Sequence, residues 1–196
     1  MHLIPRSSLP DGGIILLLNG TSSSGKTSLA KAMQSAMPER QFLHVRLDAF
    51  REMEPAGFFG ASQAASAPLR VAALCRAMHA AVAEYAGHGQ NVIFDHVLSA
   101  AAWHYLLEDF DKETLYLIEV QCAIGELLRR EAARCDRPPG LAQSQVDAIH
   151  AGRDYDLSID TTSSDPARCA ASVREWLLRD PAALAFKRMR ARHPEH

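Results

Sequence analysis

The stretch Asn19-Gly20-Thr21-Ser22-Ser23-Ser24-Gly25-Lys26-Thr27-Ser28 sets two glycines, a lysine and a run of hydroxyls in the order G-x-x-x-x-G-K-[ST]. The chemistry this pattern serves is the holding of phosphate. Glycine at 20 and 25 opens backbone conformations closed to a β-carbon, so successive N–H groups can turn inward around an anion. The unsatisfied N–H groups and positive dipole end of a following helix aim at the same place. Lys26 adds a mobile point charge for the β and γ phosphates, and the Thr27 hydroxyl stands where it can ligate Mg²⁺, one residue ahead of Ser28. Gly20 through Ser28 are therefore the expected nucleotide-binding residues, with Thr27 also a metal ligand.

Phosphoryl transfer needs little beyond a phosphate cradle and Mg²⁺: a group to orient or deprotonate the acceptor, and positive charge around the moving phosphoryl. Asp48 follows the apolar segment Phe42 to Leu47, and Asp95 closes the apolar run Asn91 to Phe94. A carboxylate just past a parallel strand points into the crevice where such sheets bind ligands. Asp48 is expected to be the base that faces the acceptor, and Asp95 a second Mg²⁺ ligand, directly or through water. Arg130 and Arg134 fall at i and i+4 on a helix, with Arg137 beyond it, before Pro138-Pro139-Gly140 breaks the chain. Arginine's fork matches phosphate oxygens, so Arg130, Arg134 and Arg137 join Lys26 as catalytic cations, while Arg129 reads as solvated. Asp48, Phe50, Arg51, Asp95 and His96 are the expected acceptor-pocket residues, with Phe58 and Phe59 nearby.

Positioning these residues requires strands that all end on one edge. Apolar runs at Ile14–Leu18, Phe42–Leu47, Asn91–Phe94, Leu115–Val120 and Leu157–Ile159 alternate with helical spacing, as buried parallel strands do. Leu29, Met33 and Met37 give the first helix its inner face. Val71, Leu74, Cys75, Met78, Val82 and Tyr85 do so for a helix opened by Pro68 and stopped by Gly87. Ile124, Leu127 and Leu128 point inward on the arginine helix, and Asp165-Pro166 and Asp180-Pro181 each read as a helix start. The expected architecture is α/β, a three-layer P-loop NTPase fold: a five-stranded parallel sheet with helices on both faces and a short Arg-rich lid over about 130–145. Residues 1–13 read as a flexible leader and 14–196 as a single domain.

Composition narrows the partners. The 196-residue chain has a formal net charge of -2 and 47% hydrophobic residues, which gives no global basis for binding nucleic acid or an anionic membrane. The basic run Lys187 to Arg192 suits a helix C-terminus. No apolar stretch reaches the ~20 residues of a membrane span, so a cytoplasmic protein is expected. Cys75, Cys122, Cys135 and Cys169 form no C-x-x-C pair, and the nine histidines form no H-E-x-x-H. No structural metal is expected; Mg²⁺ comes with nucleotide. Gly87-His88-Gly89 precedes a strand and lacks a third glycine, which removes a dinucleotide reading.

Leu18 to Thr27, Leu47-Asp48, Val92-Ile93-Phe94-Asp95 and Arg130-Glu131-Ala132-Ala133-Arg134-Cys135-Asp136-Arg137 together resemble the chloramphenicol phosphotransferase-like P-loop kinases. The likeness continues through His150 to Leu157 and Ile159 to Thr162. It implies a nucleotide- and shikimate-kinase-like fold that moves the ATP γ-phosphoryl to the hydroxyl of a small molecule, with Asp48 at the family's base position and Arg130, Arg134 and Arg137 at its lid positions. Two further readings stay open: a regulatory ATPase or nucleotide switch with no acceptor, and a sugar-nucleotide kinase of the toxin type. The chain has no N-K-x-D guanine-reading segment, and His96 follows Asp95 where a motor ATPase offers glutamate. Nothing in the sequence defines an oligomer interface.

Overall fold

Apolar runs of strand length and stretches of helical period fold into β1 (Ile14–Asn19), α1 (Lys26–Ala36), β2 (Leu43–Arg46), α2 (Leu47–Arg51), α3 (Ala67–Gly87) and β3 (Val92–His96). They continue with α4 (Ala100–Asp109), β4 (Thr114–Gln121), α5 (Ile124–Ala132), β5 (Leu157–Asp160), α6 (Pro166–Leu177) and α7 (Ala185–Ala191). The structure is a computed structural model and describes residues 12–55, 67–133, 145, 146 and 148–193. Outside the described residues lie 1–11 of the expected leader, Phe58, Phe59, Cys135, Arg134 and Arg137, and with them most of the expected lid.

The sheet has the order β2-β3-β1-β4-β5, every pair parallel. Strand β1 is central, with Leu16 level with Ile93 on one side and Tyr116 on the other. Because side chains alternate across a strand, Ile15 and Leu17 face one layer and Leu16 and Leu18 the other. The first layer is α3, α4 and α7, through Met78, Val82, Trp103, Leu106 and Phe186; the second is α1 and α6, through Leu29, Met33, Cys169 and Val173. This is the expected three-layer arrangement. Among the described residues no helix is long and apolar enough to cross a membrane.

Three local expectations change. On α3 Val71 and Tyr85 are exposed, and the buried side is turned toward His79 and Ala86, because His79 is drawn to polar partners beneath the helix. On α5 only Leu127 of the three apolar residues is buried: the helix stands over the ends of β4 and β5, where Arg130 bonds Thr161, instead of lying across a sheet face. Asp180-Pro181 starts no helix. Asp180 has φ +49°, and α7 begins at Ala185. Its leading N–H groups, of Leu184 (3.0 Å) and Ala185 (2.8 Å), donate to Asp156 Oδ1, while Asp156 Oδ2 accepts from Leu117 N–H on β4 at 2.9 Å. A carboxylate far away in sequence thus does what the local signal does not. Asp165, by contrast, caps α6 as expected, accepting from Arg168 N–H at 2.9 Å. The basic C-terminal run is tied back onto the domain, with Arg188 and Arg192 on Asp154 and Arg190 on the Phe110 carbonyl.

Replacing Asp156 with Ala leaves three backbone donors without their acceptor, at a cost of about 1–3 kcal/mol. Urea unfolding of Asp156→Ala is expected to show a midpoint lowered accordingly; an unchanged midpoint would contradict the bridging role.

Candidate functional site

The loop after β1 is shaped by close approach. A β-carbon at Gly20 would meet the Val120 carbonyl oxygen at 2.5 Å and Ser24 Oγ at 2.7 Å, so only glycine fits there. Gly25 sits at φ +90° as the residue before α1, and Ser23 at φ +63° turns the chain between them. Lys26 is buried, its ammonium donating to the carbonyls of Gly20 (2.9 Å) and Thr21 (2.7 Å). The Ser23 and Ser24 hydroxyls are buried with no hydrogen-bond partner among the described residues. Buried polar groups without partners are rare in folded proteins, and a phosphate oxygen supplies what these lack. The cradle therefore fits a phosphate chain.

Below the loop, the Thr27 hydroxyl donates to Asp95 Oδ2 at 2.7 Å, joining the two expected Mg²⁺ ligands. His44 Nε2 on β2 stands 3.5 Å from the same oxygen and has no closer partner among the described residues. Burial pushes the Asp95 carboxyl up, but the His44 contact, the Lys26 charge and the Thr27 hydroxyl outweigh it, leaving the carboxyl below its ordinary range and ionised at neutral pH. An ionised, oxygen-rich pair of this kind suits a hard divalent cation.

Ser22, Ser23, Gly25, Lys26, Thr27 and Asp95 line a cavity of about 670 Å³, whose walls also hold Arg46, Asp48, Arg51, His96, Arg129, Arg130 and Ser28. Asp48 lies in the first turn of α2, half-exposed, with Arg46 Nη1 4.0 Å from its Oδ2; Arg46 also bonds Glu52 at 2.9 Å. Arg130 reaches the Thr161 carbonyl at 2.6 Å and is braced by Glu126 at 2.7 Å, which places its guanidinium beside Gly25. Arg129 is exposed on the same glutamate, as expected of a solvated residue; the two arginines hold the Glu126 carboxyl down at about 2. Phe50 departs from the expectation: it packs partly buried against the apolar layer of α3 and α4 and is not part of the cavity wall. Thr21 faces a second hollow of about 360 Å³ beside Glu119, His150 and Asp160.

Several residues to which the motifs assign no role hold the site in shape. Asn19, wholly buried, donates to the Ile149 carbonyl (3.1 Å) and the Tyr155 hydroxyl (2.7 Å) and accepts from Leu98 N–H (3.0 Å), joining the segments before β5 and after β3 to the end of β1. The Thr161 hydroxyl bonds the Ser24 carbonyl at 2.6 Å and so fixes the glycine-rich loop from β5. Gln145 offers its Oε1 to the Ser22 N–H at 2.8 Å, where a carboxamide oxygen occupies a donor of the anion cradle. No spacing rule marks these contacts, since the partners lie 79 to 137 residues away. Cys75 and His79 do share a local signal, the i, i+4 spacing that sets both on one side of α3, but only the fold brings His96 to them so that the three Sγ and Nε2 atoms converge in the core.

A family model described as chloramphenicol phosphotransferase-like protein matches residues 13–178. A provisionally named O-phosphotransferase of Mycobacterium tuberculosis is 31% identical over 212 residues, covering 97% of this chain and 93% of that protein. Among solved structures, the APS kinase of Mycobacterium tuberculosis in complex with AMPPNP and APS superposes with TM-score 0.59 at 16% identity, covering 86% of this chain and 99% of that one. Shikimate kinase from Bacteroides thetaiotaomicron gives TM-score 0.57 at 14% identity, covering 84% and 98%. At those identities the two superpositions establish the fold, a P-loop kinase fold.

Gln145 competes with any anion for the Ser22 N–H. Losing one such hydrogen bond changes an equilibrium by about 0.5–1.5 kcal/mol, so Gln145→Ala is expected to bind ATP roughly two- to tenfold more tightly by calorimetric titration. Weaker binding would show instead that Gln145 contacts the nucleotide.

Proposed function

Because the chain belongs to the chloramphenicol phosphotransferase-like family, we propose that it is an ATP-dependent O-phosphotransferase that moves the γ-phosphoryl of ATP to a hydroxyl of a small molecule. The observation that carries this reading is the single cavity wall shared by the phosphate loop, the Thr27–Asp95 pair and Asp48. Donor-holding and acceptor-holding groups face one space.

The residues divide the work as follows. Gly20 to Ser28 cradle the triphosphate through backbone N–H groups and hydroxyls. Lys26 leaves the Gly20 and Thr21 carbonyls for phosphate oxygens. Thr27 and Asp95 would hold Mg²⁺, which when bound neutralises charge on the β and γ phosphates. Asp48 accepts the proton of the acceptor O–H as that oxygen bonds to the γ-phosphorus; the bond to the β-phosphate oxygen breaks, and ADP leaves with the electron pair. Arg130, seated beside Gly25, stabilises the charge spread over the transferring group, and Arg134 and Arg137 belong to the same cationic set by sequence. Arg51 and Asp95 share with Asp48 the wall that receives the acceptor; His96, expected there too, borders the cavity at the end of β3 while its ring is buried on the opposite face of the sheet.

Hydrolysis also needs a group to orient its attacking water, so the place of Asp48 suits either reaction; membership of a phosphotransferase-like family is what favours transfer. Whether the acceptor is a phenicol, a sugar, a nucleoside or another alcohol is an experimental question: incubation with ATP, Mg²⁺ and such a panel, followed by mass, is expected to yield one phosphorylated product. ATP hydrolysis indifferent to every acceptor would favour the regulatory reading. Asp48→Asn is expected to keep its ATP affinity while transfer falls by about 10²–10⁴-fold. Near-normal transfer in that variant removes Asp48 as the base.

A further inference from the structure

Strand β3 ends with Asp95 and His96 pointing to opposite faces of the sheet. Asp95 turns toward α1 and Thr27; His96 turns toward α3, into the apolar layer of Phe94 and Phe110, and is 4% exposed. Beneath α3 the His96 Nε2 lies 3.2 Å from His79 Nε2, His79 Nδ1 lies 2.8 Å from Asp109 Oδ2, and Asp109 Oδ1 is held by Arg76 Nη2 at 2.7 Å. Cys75 Sγ sits 3.5 Å from both Nε2 atoms.

These three edges also match a zinc tetrahedron, whose N–N and S–N edges are about 3.3 and 3.6 Å from ordinary zinc–ligand lengths. The protons decide against it. Val97 N–H donates to His96 Nδ1 at 2.9 Å, so that nitrogen carries the lone pair and the ring proton sits on Nε2. A metal on His96 Nε2 would move the proton to Nδ1, donor against donor with Val97 N–H. With the proton on Nε2 every group is satisfied: Val97 N–H to His96 Nδ1, His96 Nε2–H to His79 Nε2, His79 Nδ1–H to Asp109, and Asp109 to Arg76.

We propose that His79 and Asp109 are positioning residues of the active site, forming with His96 a proton-ordered chain that fixes the end of β3 from the face opposite Asp95 and so holds Asp95 at Thr27. The end of β3 is then pinned on both faces, by Thr27 on one and by the chain on the other. Just beyond, Leu98 N–H is tied to Asn19 Oδ1. Removing the chain frees the 95–97 backbone to rotate and loosens the carboxylate. The proposal rests on the reading of Asp95 as a Mg²⁺-holding group.

The test compares ATP affinity with Mg²⁺ and with EDTA, and reads the histidine tautomers by long-range ¹H–¹⁵N correlation in the wild-type protein. The expected tautomers are Nδ1–H for His79 and Nε2–H for His96. His79→Leu is expected to lose about tenfold in Mg²⁺-dependent affinity, the scale of lost support behind a metal ligand, and to keep its EDTA affinity. Asp109→Asn, which retains an acceptor oxygen, is expected to recover most of the effect that Asp109→Ala loses, and Cys75→Ala to match the wild type. A proton on His96 Nδ1, zinc in the purified protein, or His79→Leu weakening both affinities equally or neither would overturn the proposal. If His79→Leu does not fold, the wild-type tautomers and the Asp109 pair decide. Mg²⁺ that adds nothing to ATP binding in the wild-type protein sinks the Asp95 reading and this role together; Mg²⁺ dependence kept equally in wild type and His79→Leu sinks this role alone.

Discussion

Strand β1 has no free side. It is hydrogen-bonded along both edges, to β3 and β4, and Ile15 to Leu18 are wholly buried between the two helical layers. Parallel neighbours on both edges force the strands to end together, and the loops that leave them must share one rim of the sheet. The phosphate loop, the Asp95 turn and the Thr161 turn meet because β1 can be placed in only one way. Backbone pairing, and not attraction among the site residues, brings them together.

At that rim the sheet exchanges apolar packing for buried polar groups, and each must find a partner within reach. Asn19, Lys26, Asp95 and Thr161 are nearly fully buried, and their partners are loop carbonyls, hydroxyls and one another. Burial without such partners costs several kcal/mol per group on hydrocarbon scales. The rim is consequently stiff where it is satisfied and receptive where it is not. The Ser23 and Ser24 hydroxyls lack partners at the spot where the backbone turns its N–H groups inward.

Charge is divided in a similar way. Despite its burial Asp95 is kept ionised by the His44 contact, the Lys26 charge and the Thr27 hydroxyl, while His96, one residue on, is pushed down to about 3 by burial, with the neighbouring His79 adding to the effect, and stays neutral. Successive residues of one strand thus present a charged group to the phosphate side and an uncharged ring to the apolar side. The alternation of a β-strand makes that separation possible.

Signals that act over short range were readable in the sequence. The glycine-rich loop, the five strands, the cap at Asp165 and the exposed state of Arg129 depend on neighbours within a few positions, and the sequence determined them. Asp180-Pro181 and the inner face of α3 show the limit: both follow local rules, and both yield to distant polar partners, Asp156 in one case and His96 with Asp109 in the other. Phe50 is aromatic enough to line a pocket, yet on α2 it points away from Asp48 into the apolar layer, because a helix sends neighbouring side chains in different directions. Nothing local tells Asn19 and Gln145 which partners they will find, and of the Cys75–His79–His96 group only the i, i+4 pair on α3 is local; the other contacts exist only once strands and helices far apart in the chain have packed. What the sequence by itself determined was the phosphate cradle and the sheet that presents it. The tertiary structure alone decided which buried polar groups brace them, because a hydrogen bond between distant residues leaves no period or spacing to read.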